Sequence, residues 1–279
     1  MGFGTLAHVA GKLPLKELTE KLGSRGLDFV QLAPVKAIGD IDMSPGRLSP
    51  GLANFIAEQF DRTGIRIGVL GCYIDAIHSD PERRRSEVRR FKEHLRHARD
   101  FGAAIVATET GGLTTFQSQD PVHYEEIGWN ILRQSIEELA EEAERWGVTV
   151  GIEPVSCHTL SSADKMARML QEVPSSTLGV VFDPVNLLSA DTVPEQDALI
   201  DRAFSAFGDR IVLAHLKDFT IQNGELVAAA PYASGEFHTD AFLSKLKRHK
   251  PFIDISSEEL TDATLEGTIQ RVRTGWEGV

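Results

Sequence analysis

Val148-Thr149-Val150-Gly151-Ile152-Glu153-Pro154-Val155 is the stretch on which the reading of this chain turns. A short apolar, β-branched run of this kind reads as a fully buried strand. Proline has no amide hydrogen to give a sheet ladder, so Pro154 marks the end of the strand. Glu153 is thereby set at the C-terminal lip of a buried strand. A carboxylate there is costly unless a cation or a hydrogen-bond donor meets it. On its own it could be a structural ion pair, which is a common reason for a buried charge.

The same pattern recurs on both sides of this stretch. Expected strands cover Leu6–Val9, Asp28–Leu32, Ile65–Gly71 and Gly102–Thr108 before it, and Leu178–Phe182, Ile211–Ala214 and Pro251–Ser256 after it. Amphipathic helical segments alternate with them. Ser49-Pro50, Asp80-Pro81 and Asp120-Pro121 each place an N-cap residue before a proline at the first helical position. Further helices are expected at Leu15–Leu22, Ser162–Leu170, Asp197–Phe207, Asp240–Lys247 and Ala263–Val272. Parallel strands need such crossovers, and the crossovers are right-handed. Eight strand–helix units without a linker predict a single (β/α)8 TIM barrel of the α/β class over residues 1–279. An open doubly wound sheet would want a glycine-rich phosphate loop after its first strand. Here Gly2-Phe3-Gly4 precedes the expected first strand instead.

Composition narrows the partners. The chain has 279 residues, 42% hydrophobic and 25% charged, as in an ordinary soluble globular protein. A net charge of −12 opposes a nucleic-acid backbone, which is bound by clustered Lys and Arg, and opposes an anionic membrane surface. The basic run Arg83-Arg84-Arg85 lies among glutamates on an expected helix and reads as a solvated face. No stretch approaches the roughly 20 apolar residues of a membrane span. Two cysteines, Cys72 and Cys157, make no disulfide framework and are expected to be buried apolar fillers. With no secretory signal at the N-terminus, a cytoplasmic location is expected.

A barrel gathers the C-terminal ends of its strands on one face, where chemistry is done. Glu153 follows from the fifth strand, Asp183 from the sixth, His215 from the seventh, and Glu258 or Glu259 from the eighth. Three carboxylates and an imidazole converging without a cation would repel one another. A divalent ion resolves this by taking oxygen and nitrogen ligands together, and the mixed set suits Mn²⁺, Mg²⁺, Co²⁺ or Zn²⁺.

With these residues in place the chain resembles the sugar-phosphate isomerase/epimerase group of xylose-isomerase-like barrels, which includes the ketose 3-epimerases. The resemblance is carried by Gly151-Ile152-Glu153-Pro154, Val181-Phe182-Asp183-Pro184-Val185-Asn186-Leu187-Leu188, Ala214-His215-Leu216-Lys217-Asp218, Ser256-Ser257-Glu258-Glu259-Leu260 and Thr108-Glu109-Thr110-Gly111. It implies one metal ion, Mn²⁺ first, held by Glu153, Asp183, His215 and Glu258. It also implies that Glu153 and Glu258 act as an acid–base pair that removes a proton beside a carbonyl and returns one to the opposite face. The first of the two adjacent glutamates, Glu258, is the ligand by that pattern. The implied substrate is a small sugar or sugar-like polyol. Barrels of this group are often dimers or tetramers, so a homo-oligomer is an expectation too.

Two positions depart from the epimerase pattern. Asn186 stands where those enzymes commonly carry a histidine, and Ile221 stands where they carry an arginine. A free ketohexose becomes a weaker expectation, and a keto-glycoside or cyclitol a stronger one. Asn186, Lys217, His158, Glu109, His78 and His8 are the expected substrate-side residues. The same base and metal would also serve a lyase or dehydratase that expels a β-substituent. An apurinic-endonuclease-type phosphodiester hydrolase would need more histidine ligands and a basic surface. A non-catalytic sugar-binding barrel would be favoured only if one of the two glutamates were missing.

Overall fold

The computed structural model describes residues 1–116 and 121–279. Eight parallel strands close into a barrel: β1 (Phe3–Leu6), β2 (Phe29–Leu32), β3 (Arg66–Gly71), β4 (Ile105–Glu109), β5 (Thr149–Glu153), β6 (Leu178–Phe182), β7 (Ile211–Leu216) and, last in sequence, β10 (Ile255–Ser257), which closes on β1. A separate antiparallel hairpin, β8 (Asp218–Gln222) and β9 (Glu225–Ala229), follows β7 directly. Helices α1 (Leu15–Gly23), α2 (Pro34–Ala37), α3 (Pro50–Asp61), α4 (Pro81–His97), α5 (Pro121–Trp146), α6 (Ala163–Glu172), α7 (Gln196–Phe207), α8 (Thr239–His249) and α9 (Leu265–Gly278) connect the strands.

The expected caps act where they are described. Ser49 accepts from the Leu52 amide and Asp80 from the Glu82 amide, each satisfying a donor that the first helical turn leaves free. The cap expected at Asp120 lies outside the described residues. Ser162 does the same for α6 through the Lys165 amide.

Period-two alternation decides what the barrel interior contains. Phe29, Val69, Ala107, Val181 and Leu213 form a layer of their own, apart from the main core between strands and helices. The Phe29 ring fills the centre of this floor, and two glycines make room for it. A Cβ on Gly4 would lie 2.4 Å from the Phe29 carbonyl oxygen and 2.7 Å from its ring, and one on Gly68 would lie 2.7 Å from the ring. Two residues further along each strand the side chains again face inward, at the barrel mouth. Gln31 follows Phe29, Glu109 follows Ala107, Glu153 follows Gly151, Asp183 follows Val181, and His215 follows Leu213.

Two expectations about elements are corrected. The first strand is Phe3–Leu6, and Leu6–Val9 instead runs into a 3₁₀ turn at Ala7–Ala10. Gly4 weakens the strand reading, yet it is required beside Phe29. The last barrel strand is only Ile255–Ser257 and does not begin at Pro251. Pro251 has no amide to donate, and pairing starts where the Ile255 amide reaches the Gly2 carbonyl.

Candidate active site

The mouth of the barrel holds a buried, mostly ionisable cluster. Glu153 ends β5, His215 lies on β7, and Glu258 follows β10. One ligand-type atom from each lies within 4.8 Å of the others, and among the described residues this is the one such group of His, Cys, Asp and Glu. His215 Nδ1 is 3.0 Å from Glu258 Oε1 and 3.3 Å from Glu153 Oε1. Neither approach has hydrogen-bond geometry, so Nδ1 is a buried polar atom without a hydrogen-bond partner.

His215 is held from its other side. Its Nε2 meets Gln31 Oε1 at 3.0 Å, and the Gln31 amide nitrogen donates to the Tyr73 hydroxyl at 3.0 Å. That orientation of the amide makes Nε2 the donor to Gln31 and leaves Nδ1 facing the two glutamates. A carbonyl holding the far nitrogen of an imidazole in this way is how metal-ligating histidines are usually oriented. Sequence reading passed over Gln31 and Tyr73 as site residues. Their signal was the period-two register, which places Gln31 two residues beyond Phe29 on the interior face.

Asp183 is fully buried and lies outside the tight three-residue group. Its Oδ1 accepts from the Val185 amide at 2.9 Å and the Asn186 amide at 3.4 Å. Its Oδ2 has no hydrogen-bond partner, although the Lys217 ammonium is 3.0 Å away as an ion pair. Lys217 Nζ also donates to Asn186 Oδ1 at 2.6 Å and reaches Glu258 Oε2 at 3.3 Å. The Asn186 side-chain nitrogen Nδ2 in turn donates to Glu153 Oε1 at 2.7 Å.

Electrostatics follow from this packing. Burial works to raise the Glu153 pKa, and although His215 pulls against it, Glu258 and Asp183 add to the rise. Burial also works to raise Glu258, but the neighbouring His215 and Lys217 prevail and hold it down at about 2. Burial opposes the charge on His215, yet Glu153 and Glu258 bring its pKa well above the ordinary imidazole range. Lys217 is likewise opposed by burial and raised overall by Asp183, Glu258 and Glu153. The acidic pocket thus keeps its two basic groups charged.

The remaining expected residues fall into place unevenly. Glu109 and Glu153 are register partners on β4 and β5 and share the interior face. His158 Nδ1 lies 3.4 Å from Glu109 Oε2. His8 sits in the 3₁₀ turn after β1, half-buried, with an Nδ1 that has no hydrogen-bond partner. Burial and Lys36 lower its pKa while Glu258 raises it. His78 is turned to a local task, its Nδ1 accepting from the Asp80 amide at the start of α4. Glu259 is exposed and takes φ 55°, so the chain turns away from the site immediately after Glu258. Cys72 is buried, and burial pushes its thiol up to about 12. Cys157 is exposed, contrary to the expectation of a buried filler, because it lies in the loop after β5 rather than on a packed face.

The family described as "Xylose isomerase-like TIM barrel" matches residues 19–273. The chain belongs to that family. Among solved structures it is similar to a D-tagatose 3-epimerase-like protein at 18% identity and TM-score 0.79, over 100% of this chain and 98% of that one. It is similar to the 3-keto-D-glucoside 4-epimerase YcjR from E. coli at 15% identity and TM-score 0.71, over 98% and 99% of the two chains. It is also similar to the IOLI protein with a binding zinc atom, at 19% identity and TM-score 0.71, over 99% and 96%. None of the curated proteins matches this sequence. No helix among the described residues is long and apolar enough to cross a membrane.

Proposed function

We propose that this chain is a divalent-metal-dependent epimerase or isomerase that acts on a keto sugar or keto-glycoside by enolisation. The observation that carries the reading is the placement of Glu153 at the end of β5 and Glu258 just after β10, each with one oxygen near His215 Nδ1. The residues fit a metal ion. His215 Nδ1 and Asp183 Oδ2 are both buried atoms without a hydrogen-bond partner, and both belong to the expected ligand set of Glu153, Asp183, His215 and Glu258. When bound, such an ion polarises a carbonyl and stabilises the negative charge of an enediolate. Mn²⁺ is our first choice.

The protein's own part is proton transfer and orientation. One of the two glutamates takes the proton from the carbon beside the carbonyl, and the other delivers a proton to the opposite face of that carbon. Gln31 and Tyr73 keep the His215 ring fixed while this happens. His8, Glu109 and His158 line the mouth and are proposed to meet substrate hydroxyls. The epimerase names borne by similar structures support this reaction class. The IOLI structure with its zinc supports a metal in such a barrel.

Solvent exchange in D₂O tests the reading. Ketoses, 3-keto sugars, keto-glycosides and inosose-like cyclitols are followed by NMR with Mn²⁺ and with EDTA. Deuterium uptake beside a carbonyl is expected with Mn²⁺. It should be lost with EDTA and in Glu153→Gln and Glu258→Gln. An eliminated fragment in place of an epimer would assign the site to a lyase. Phosphodiester cleavage without any exchange would refute enolisation.

A further inference from the structure

Asn186 and Lys217 were expected on the substrate side of the site, and their hydrogen bonds point elsewhere. A lysine ammonium has three donors and no acceptor. In Lys217 two of those donors go to Asn186 Oδ1 at 2.6 Å and Glu258 Oε2 at 3.3 Å, and Asp183 Oδ2 lies 3.0 Å away as an ion pair. All three are protein atoms, and the ammonium is buried. Because Lys217 can only donate, it fixes Asn186 with its oxygen toward the lysine. The amide nitrogen is then left to donate to Glu153 Oε1 at 2.7 Å. A continuous path, Glu153–Asn186–Lys217–Glu258, therefore ties the two glutamates together across the mouth.

We propose that Asn186 is a positioning residue: its amide, oriented by Lys217, fixes the Glu153 carboxylate, and the pair clamps both glutamates instead of binding substrate. A leucine in place of Asn186 would offer neither the acceptor for Lys217 nor the donor to Glu153, so that substitution opens the path. Its bearing on turnover rests on the enolisation reading; its bearing on metal affinity does not.

The test uses the full chain and Mn²⁺ alone, titrated calorimetrically, in wild type, Asn186→Leu, Lys217→Met and the double variant. Asn186→Ala is the second choice should the Leu variant fail to melt cooperatively. Removing a group that orients a ligand typically weakens metal binding about 10–100-fold. That loss is expected for Asn186→Leu in the wild-type background. In the Lys217→Met background it should shrink toward onefold, because the amide is no longer fixed and the two residues act as one unit. On any ketose or keto-glycoside that wild type converts, Asn186→Leu should lower kcat and leave KM unchanged. Unchanged Mn²⁺ affinity in a folded Asn186→Leu protein would overturn the clamp. So would equal losses in both backgrounds, or a raised KM with kcat preserved. If wild type converts none of the compounds, the reaction class fails while the Mn²⁺ titrations still decide the clamp.

Discussion

Asp218 offers a sharp test of how the site is held. It is fully buried and follows Lys217 at the start of β8. No cation pairs with it among the described residues. Its carboxylate instead accepts four backbone amides: Phe219 at 2.8 Å and Phe237 at 2.9 Å on Oδ1, and Ser234 at 2.9 Å and Gly235 at 2.8 Å on Oδ2. These bonds fasten the β8–β9 hairpin to the segment that leads into α8. A hydrogen bond to a charged group contributes about 1.5–3 kcal/mol. Four at the low end would add to roughly 6 kcal/mol, as much as the whole stability of many domains. The loosened hairpin would let water reach the freed amides, so we expect a loss of about 3–5 kcal/mol for Asp218→Ala. Asn at this position keeps one acceptor oxygen for two amides but turns an NH₂ group toward the other two. We expect Asp218→Asn to lose about 2–3 kcal/mol. Urea unfolding followed by circular dichroism measures both. A loss under about 1 kcal/mol in both variants would refute the anchoring role.

Two further outcomes follow from single residues. His94 is buried on α4, with its Nδ1 donating to the Arg90 carbonyl at 2.9 Å, and burial lowers its pKa below the ordinary 6.5. A lowered histidine pKa means that the unfolded chain takes the proton first, so its contribution is present above 6.5 and is lost as pH falls toward the folded value. The denaturation midpoint of His94→Leu should therefore decline less than that of wild type between about pH 6.5 and 5; parallel declines would remove His94 from the account. Glu259 holds φ 55°, a left-handed conformation that strains residues with a Cβ. Glu259→Gly should gain about 0.5–1 kcal/mol and Glu259→Val should lose about 1–2 kcal/mol, and the opposite order in urea would contradict the strain.

The sequence was most informative where one rule dominated. Apolar runs alternating with capped helices left little choice but a closed barrel. Pro154 marks the end of β5, as read from its missing amide hydrogen. The strand-end positions of Glu153, Asp183 and His215 were legible for the same reason: each is the first ionisable residue after a buried run. What escaped depends on contacts distant in sequence. Gln31 is a plain strand residue until His215, 184 positions away, is brought to it. The β8–β9 hairpin was missed although its signal was present. Asn223-Gly224, with φ of 53° and 80°, is the dipeptide that two-residue hairpin turns prefer. Spacing could not distinguish Glu258 from Glu259, because the difference lies in the backbone, which turns outward at the second residue and leaves Glu259 exposed.

The Phe29 floor has a consequence for traffic. With its ring against Gly4 and Gly68 and clustered with Val69, Ala107, Val181 and Leu213, Phe29 is part of a packed layer of side chains beneath the Glu153, His215 and Glu258 cluster. Whatever reaches Glu153, His215 and Glu258 must come and go by the mouth alone. A small molecule seated there would stand over anything bound beneath it. An ion in the cluster would have to load before a sugar arrives and could leave only after it departs. Under the proposed function this arrangement would impose an order of binding, expected as slowed Mn²⁺ release by EDTA when a tight-binding polyol is present.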